Sequence, residues 1–136
     1  MFDFKTYFQG DCELALTKAS YDLIAFEDND AELSLLIEDS IASEVKEDKL
    51  YASFTRLVHF EPEALYAISV SFEVSLQIKD PSLSDEVASI DWNKILVEEK
   101  NPFISNMVCR ASQLISAMTS SYGQQPLITP PRFMKR

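Results

Sequence analysis

Leu65-Tyr66-Ala67-Ile68-Ser69-Val70-Ser71-Phe72-Glu73-Val74-Ser75-Leu76-Gln77-Ile78-Lys79 is the stretch whose reading decides the fold. Tyr66, Ile68, Val70, Phe72, Val74, Leu76 and Ile78 fall on every second position, with serines, Glu73, Gln77 and Lys79 between most of them. Successive side chains of an extended chain point to opposite faces, so a period of two over this length predicts a long β-strand with one apolar face. Such a face must be covered by something else in the chain or by another chain.

Working outward, Lys49 to Phe60 carries Leu50, Tyr51, Phe54, Leu57, Val58 and Phe60 and reads as a preceding strand. Phe60-Glu61-Pro62-Glu63-Ala64 reads as a short connection, because proline cannot donate to a central ladder. The two strands form a hairpin. Ala15 to Phe26, with Tyr21, Leu23, Ile24 and Phe26, reads as an earlier strand, and Glu27-Asp28-Asn29-Asp30 as a turn after it. Glu32 to Glu47 is undecided between helix and strand: Leu33, Leu36, Ile37, Ile41 and Val45 fit helical spacing, yet neither period wins.

Downstream, Asp80-Pro81 opens a connection that passes Ile90, Trp92, Ile95 and Leu96. Asn101-Pro102 then has the form of a helix cap followed by proline at the first helical position. Ile104, Met107, Val108, Ala111, Leu114, Ile115, Met118 and Tyr122 recur three or four apart, and Gly123 supplies a stop. About twenty helical residues span about 30 Å, long for a chain of this size. Gln124-Gln125-Pro126-Leu127-Ile128-Thr129-Pro130-Pro131 then forms an extended, proline-stiffened tail. Strands first and one long helix last is the α+β pattern. The expected layout is one domain of 1–136, with an N-terminal arm over 1–14 and an antiparallel sheet over 15–79. A connection covers 80–100, the helix 101–123 and the tail 124–136.

Composition narrows the function classes. A hydrophobic fraction of 46% and an aromatic fraction of 11% support a packed core. No apolar run reaches the roughly 18 residues that cross a bilayer, and Met1-Phe2-Asp3-Phe4-Lys5 lacks the features of a secretory signal; the expectation is a cytoplasmic protein. All 22 acidic residues precede position 100, whereas 100–136 carries only bases (Lys100, Arg110, Arg132, Lys135 and Arg136). An acidic body with a net charge of −10 argues against nucleic acid or anionic membrane as a partner, since phosphate contacts need clustered cations.

Catalytic sets are missing from the sequence. His59 is the single histidine and reads as a structural residue at a strand end. Gly10 and Gly123 are the only glycines, so no glycine-rich loop can cradle phosphate. Cys12 and Cys109 stand far apart, outside any metal or redox motif, and are expected to be small half-buried side chains; sequence leaves a disulfide between them open. Glu38-Asp39 and Glu47-Asp48 lack the spacing of a calcium loop. The expectation is a protein with no enzymatic activity, no cofactor and no metal, whose apolar surface binds other polypeptides.

Gln113-Leu114-Ile115-Ser116-Ala117-Met118-Thr119-Ser120-Ser121-Tyr122-Gly123, followed by Pro126-Leu127-Ile128-Thr129-Pro130-Pro131-Arg132-Phe133, resembles the SecB-type export chaperones and the SecB-like chaperones of toxin–antitoxin loci. Tyr66 to Ile78 is similar to that family's fourth strand and Tyr21 to Glu27 to its first, so the resemblance runs from about Ala15 to Phe133. It implies a four-stranded antiparallel sheet followed by one long helix, with Glu32–Glu47 as the second strand. It also implies a homo-oligomer, dimer or tetramer, that holds unfolded or precursor polypeptides without ATP.

By position, Tyr66, Ile68, Val70 and Phe72 match the family's assembly and client-binding row. Leu127 and Ile128 match the crossover that walls its groove, and Glu27 matches an acidic contact for the translocation ATPase SecA. The departures bear on which function is expected. Val108-Cys109-Arg110-Ala111-Ser112 replaces a Phe-Pro-Tyr-x-Arg pattern, other SecA contacts fall on Leu23 and Ser69, and no second terminal helix follows before Arg136. The resemblance implies a holdase in protein export. A dedicated chaperone of one partner, such as an antitoxin, and a non-chaperone oligomeric module are the alternatives.

Overall fold

A computed structural model of the chain describes residues 3–24, 32–98, 101–121 and 125–134. The period-two run is strand β4 (Leu65–Ile78), and it sits inside a four-stranded antiparallel sheet with β1 (Phe8–Ile24), β2 (Ser34–Lys46) and β3 (Lys49–Glu61). The strand order β1-β4-β3-β2 places the two most apolar strands at the centre. Leu50, Ala52, Phe54, Arg56 and Val58 of β3 alternate with half-buried residues and share one face with Tyr66, Ile68, Val70, Phe72, Val74, Leu76 and Ile78 of β4. All of these are buried, so the predicted apolar face is the core face.

β2 is a strand, as the resemblance implied, and β3 decides the matter. Every residue from Ser34 to Lys46 has a register partner on β3, which puts Ile37, Ile41 and Val45 opposite Val58, Phe54 and Leu50. The hairpin turns at Glu47-Asp48, with Glu47 in the left-handed region at φ 59°. One acidic pair noted in the sequence is therefore a turn, where polar residues are tolerated.

β1 departs from expectation at its start. The segment expected to be an arm over 1–14 is strand from Phe8 onward. Phe8, Gly10, Cys12 and Leu14 alternate with Gln9, Asp11 and Glu13, but glycine and aspartate are poor strand formers and dilute the signal; the open edge of β4 recruits the segment, pairing Cys12 with Leu76 and Leu14 with Val74. Register shifts between Phe8 and Cys12 and between Leu16 and Lys18 absorb the mismatch.

The connection after β4 contains two short helices, α1 (Ser84–Ala88) and α2 (Trp92–Glu98), and leads to the long helix α3 (Pro102–Ser121). Asn101 caps α3 through its side-chain Oδ1, which accepts from the Phe103 amide at 2.8 Å. Ile104, Met107, Val108, Ala111 and Ile115 form the buried stripe that packs on β3 and β4. The expected stop at Gly123 and the strand end at Phe26 lie outside the described residues.

One buried charge ties the layers together. Arg56 occupies the inward phase of β3, and the side chains of Arg56 and its cross-strand partner Asp39 are both fully buried. The guanidinium meets the carboxylate in two parallel hydrogen bonds, Nε to Oδ1 at 2.8 Å and Nη2 to Oδ2 at 2.7 Å. Nη1 lies 2.9 Å from Ser112 Oγ on α3, 2.9 Å from Thr129 Oγ1 and 2.7 Å from the Pro130 carbonyl. Nη2 also reaches the Arg132 carbonyl at 2.8 Å, and the Met134 amide donates to Asp39 Oδ2 at 2.6 Å. Sheet, helix and tail thus converge on one ion pair, and Phe133 closes edge-on against Phe54 beside it. Arg56→Ala is expected to lower the unfolding free energy by about 3–5 kcal/mol in urea denaturation, because Asp39 stays buried without its partner. Arg56→Lys is expected to destabilise in the same direction by less, since an ammonium cannot present the paired fork.

Candidate functional site

A helix with its side chains is about 10–12 Å across, enough for two or so strands spaced about 4.8 Å apart. Lying on β3 and β4, α3 leaves much of β1's inward face uncovered. Cross-strand partners share a face, so Leu16, opposite Phe72, and Leu23, opposite Tyr66, belong to the core side of the sheet. Yet Leu16 is 51% and Leu23 78% exposed. Tyr21 lies between them in sequence and stacks on Tyr66, with ring centroids 5.4 Å apart at 24°. Phe60 meets the same Tyr66 edge-on at 5.3 Å, and Leu35, across from Phe60 on β2, is also exposed. The result is an apolar arc from Leu16 along β1 and around the Tyr66 end of the sheet.

The residues singled out in the sequence divide between core and surface. Ile68 and Val70 are wholly buried and Phe72 nearly so. Tyr66 is the member of that row that joins the arc. Leu127 is half-buried, and its amide donates to Thr119 Oγ1 at 2.8 Å. Ile128 projects outward at 77% exposure, while its neighbour Thr129 is buried on Arg56. Glu27 lies outside the described residues. Cys12 and Cys109 are free and exposed rather than half-buried: one sits on an edge strand and the other on the outer side of α3, places without covering layers.

Sequence reasoning missed Arg56, Leu16 and Leu35. Arg56 could have been found as the one charge in the inward phase of β3, whereas the exposure of Leu16 and Leu35 depends on where the helix comes to rest.

The opposite face of the sheet is polar. Lys18, Ser20, Asp22, Glu38, Thr55 and Ser69 line a concavity of about 550 Å³ there, with Leu57 and Ala67 between them. His59 sits on that side, 3.0 Å from Glu38 Oε2. Among the described residues no group of three or more His, Cys, Asp or Glu is placed to hold a metal, and no helix is long and apolar enough to cross a membrane.

Burial, with a smaller contribution from the nearby Tyr21 hydroxyl, raises the Tyr66 hydroxyl above the usual tyrosine range. The fold therefore favours neutral Tyr66, and the unfolded chain ionises first as pH climbs past 10.0. This contribution to stability is intact below that pH and is lost above it, as pH rises through the folded value. Melting curves between about pH 9 and 11 should show a smaller loss of thermal stability for Tyr66→Phe than for the wild type.

No protein-family model matches the chain, and no curated protein matches it in sequence. Among solved structures, it is similar to a SecB-like chaperone of Mycobacterium tuberculosis in complex with a ChAD peptide from the HigA1 antitoxin. Identity is 9%, the TM-score is 0.52, and the match covers 87% of this chain and 86% of the other. At that identity the likeness is one of fold: a four-stranded antiparallel sheet with a long C-terminal helix and small helices between, consistent with the SecB-like fold.

Proposed function

We propose that this protein is a chaperone that holds unfolded polypeptide segments on the apolar arc of β1 and the Tyr66 end of the sheet, without ATP and without a catalytic step. One observation carries the reading: Leu16 and Leu23 stand on the core side of an edge strand and have no covering layer in the protomer. Exposed apolar side chains that adjoin a core are partner surfaces, and fully burying each leucine is worth about 1.5–3 kcal/mol. Several such contacts give reversible capture with low sequence specificity. Half-buried Tyr21, held by stacking on buried Tyr66, supplies aromatic area at little cost in conformational freedom. The net charge of −10 keeps such a surface soluble in a cytoplasmic setting. Self-association into a dimer or tetramer that leaves part of the arc open is included in this reading.

A narrower version, a dedicated chaperone of one partner such as an antitoxin, draws support from the fold neighbour, whose structure holds an antitoxin peptide. A role in export through SecA has less behind it. Leu23 and Ser69 occupy positions where the family resemblance leads one to expect acidic contacts.

Leu23→Ser should leave the melting temperature nearly unchanged, because that side chain is 78% exposed. The same variant should weaken suppression of aggregation of a chemically denatured client by about three- to tenfold in light scattering. Full suppression by a variant of unchanged oligomeric state would show that the arc is not the client surface. Loss of the oligomer together with failure of the wild type to protect any client would leave an assembly module instead. Polypeptides crosslinked to the protein in its native cell separate a general holdase, with many clients, from a dedicated one.

A further inference from the structure

The other end of β1 carries a second site of different chemistry, whose case does not depend on the client arc. Leu23 pairs with Tyr66 at one end of the β1–β4 ladder, and Phe8 pairs with Ile78 at the other. Beside Phe8 lies a cavity of about 430 Å³, within the range of ligand pockets, with an apolar floor of Phe4, Phe8, Leu76 and Phe103. The rings support one another: Phe4 meets Phe103 edge-on at 5.6 Å, and Phe8 packs on Trp92 at 5.5 Å.

Two ammonium groups border this floor. Among the described residues, Lys5 and Lys79 are the only charged ones lining the cavity, and both are exposed. Lys79 Nζ donates to the Lys5 carbonyl at 2.6 Å, which holds it at the rim. Neither lysine is in an ion pair among the described residues. The nearest acids in sequence are engaged elsewhere: Asp3 accepts from the Lys5 amide and the Thr6 hydroxyl, and Asp80 accepts from the Ser82 amide at 3.0 Å. In a chain with 22 acidic residues against 12 basic ones, an apolar cavity edged by cations alone is complementary to an apolar group that carries negative charge.

The backbone beside the cavity favours a peptide. Gln9, Gly10 and Asp11 have no register partner on β4, and β1 is the edge of the sheet. An extended segment laid along Gln9 and Gly10 can bond to this main chain while its side chain enters the cavity. A Cβ added at Gly10 would meet nothing within 4 Å, so the space next to it is open.

We infer that the cavity between Phe4, Phe8 and Phe103 binds a polypeptide segment in which an aromatic or large aliphatic side chain is flanked by aspartate or glutamate. The ring seats on the aromatic floor, and the carboxylates meet Lys5 and Lys79.

Fluorescence polarisation with a labelled hexapeptide of phenylalanines between glutamates, and with its lysine-flanked counterpart, tests this on the full-length chain. Gly10→Phe fills the cavity from a position with room for a side chain, and Lys5→Ala removes one cation without touching the core. The glutamate peptide should bind the wild type, about tenfold more weakly to Gly10→Phe and severalfold more weakly to Lys5→Ala, and less tightly as salt rises. Its binding should be unaffected by Leu23→Ser, which separates this site from the client arc. Unchanged affinity in a Gly10→Phe variant of unchanged circular dichroism and melting temperature overturns the inference. So does equal binding of the lysine-flanked peptide, or binding of decanoate in place of any peptide. A change in sedimentation on Gly10→Phe would give the cavity to a second copy of the chain and likewise overturn it.

Discussion

The ion pair between Arg56 and Asp39 is the constraint on which the arrangement of layers depends. A buried guanidinium is tolerable only when its donors are met and its charge is balanced. Asp39 supplies the balance from the neighbouring strand, and α3 and the tail supply the remaining acceptors. No single element could satisfy Arg56. The helix must therefore cross β3 where Ser112 reaches the guanidinium, and the tail must return along the helix so that Thr129, Pro130 and Arg132 reach it too. A pair of this kind need add little net stability over an apolar substitute, but it penalises every other register of helix and tail.

Once the helix is fixed over β3 and β4, the surface chemistry follows. The tail and the short helices lie towards β2, as the Met134 bond to Asp39 shows for the tail. Beyond Phe8, which Trp92 covers, β1 is left with inward-facing leucines and no lid. The same geometry explains why Tyr66 differs from Ile68 and Val70, although all three stand in one alternating row. Ile68 and Val70 are sealed beneath the layer above, whereas Tyr66 ends the row and stacks with Tyr21 and Phe60 at the margin. The row itself is core, and the site is built from the residues that flank its Tyr66 end.

The two ends of β1 offer contrasting surfaces because the strand is irregular. Its regular half, from Lys18 to Ile24, pairs residue for residue with β4 and presents apolar side chains in a row. Its first residues shift register against the ladder, which leaves open the space beside Gly10, above the buried aromatic cluster around Phe8. Bulges that re-aim an edge strand in this way recur next to binding sites.

Periodicity alone determined β4, β3 and α3. Seven alternating apolar residues can satisfy only a strand, and the Asn101-Pro102 cap with a stripe at three- and four-residue spacing can satisfy only a helix. Segment 34–46 was not determined this way: its apolar spacing suits two structures, and only the open edge of β3 selects the strand. Neither was the start of β1, whose alternation from Phe8 is diluted by Gly10 and Asp11 and which is held by β4. Arg56 showed itself as a charge out of phase, but its partners lie 17, 56 and 73 residues away and become visible only in register. What the sequence determined by itself was which side chains share a face of a strand or helix, because that follows from backbone geometry. Which of those faces end covered was decided by the tertiary structure, because coverage depends on where a distant helix is locked.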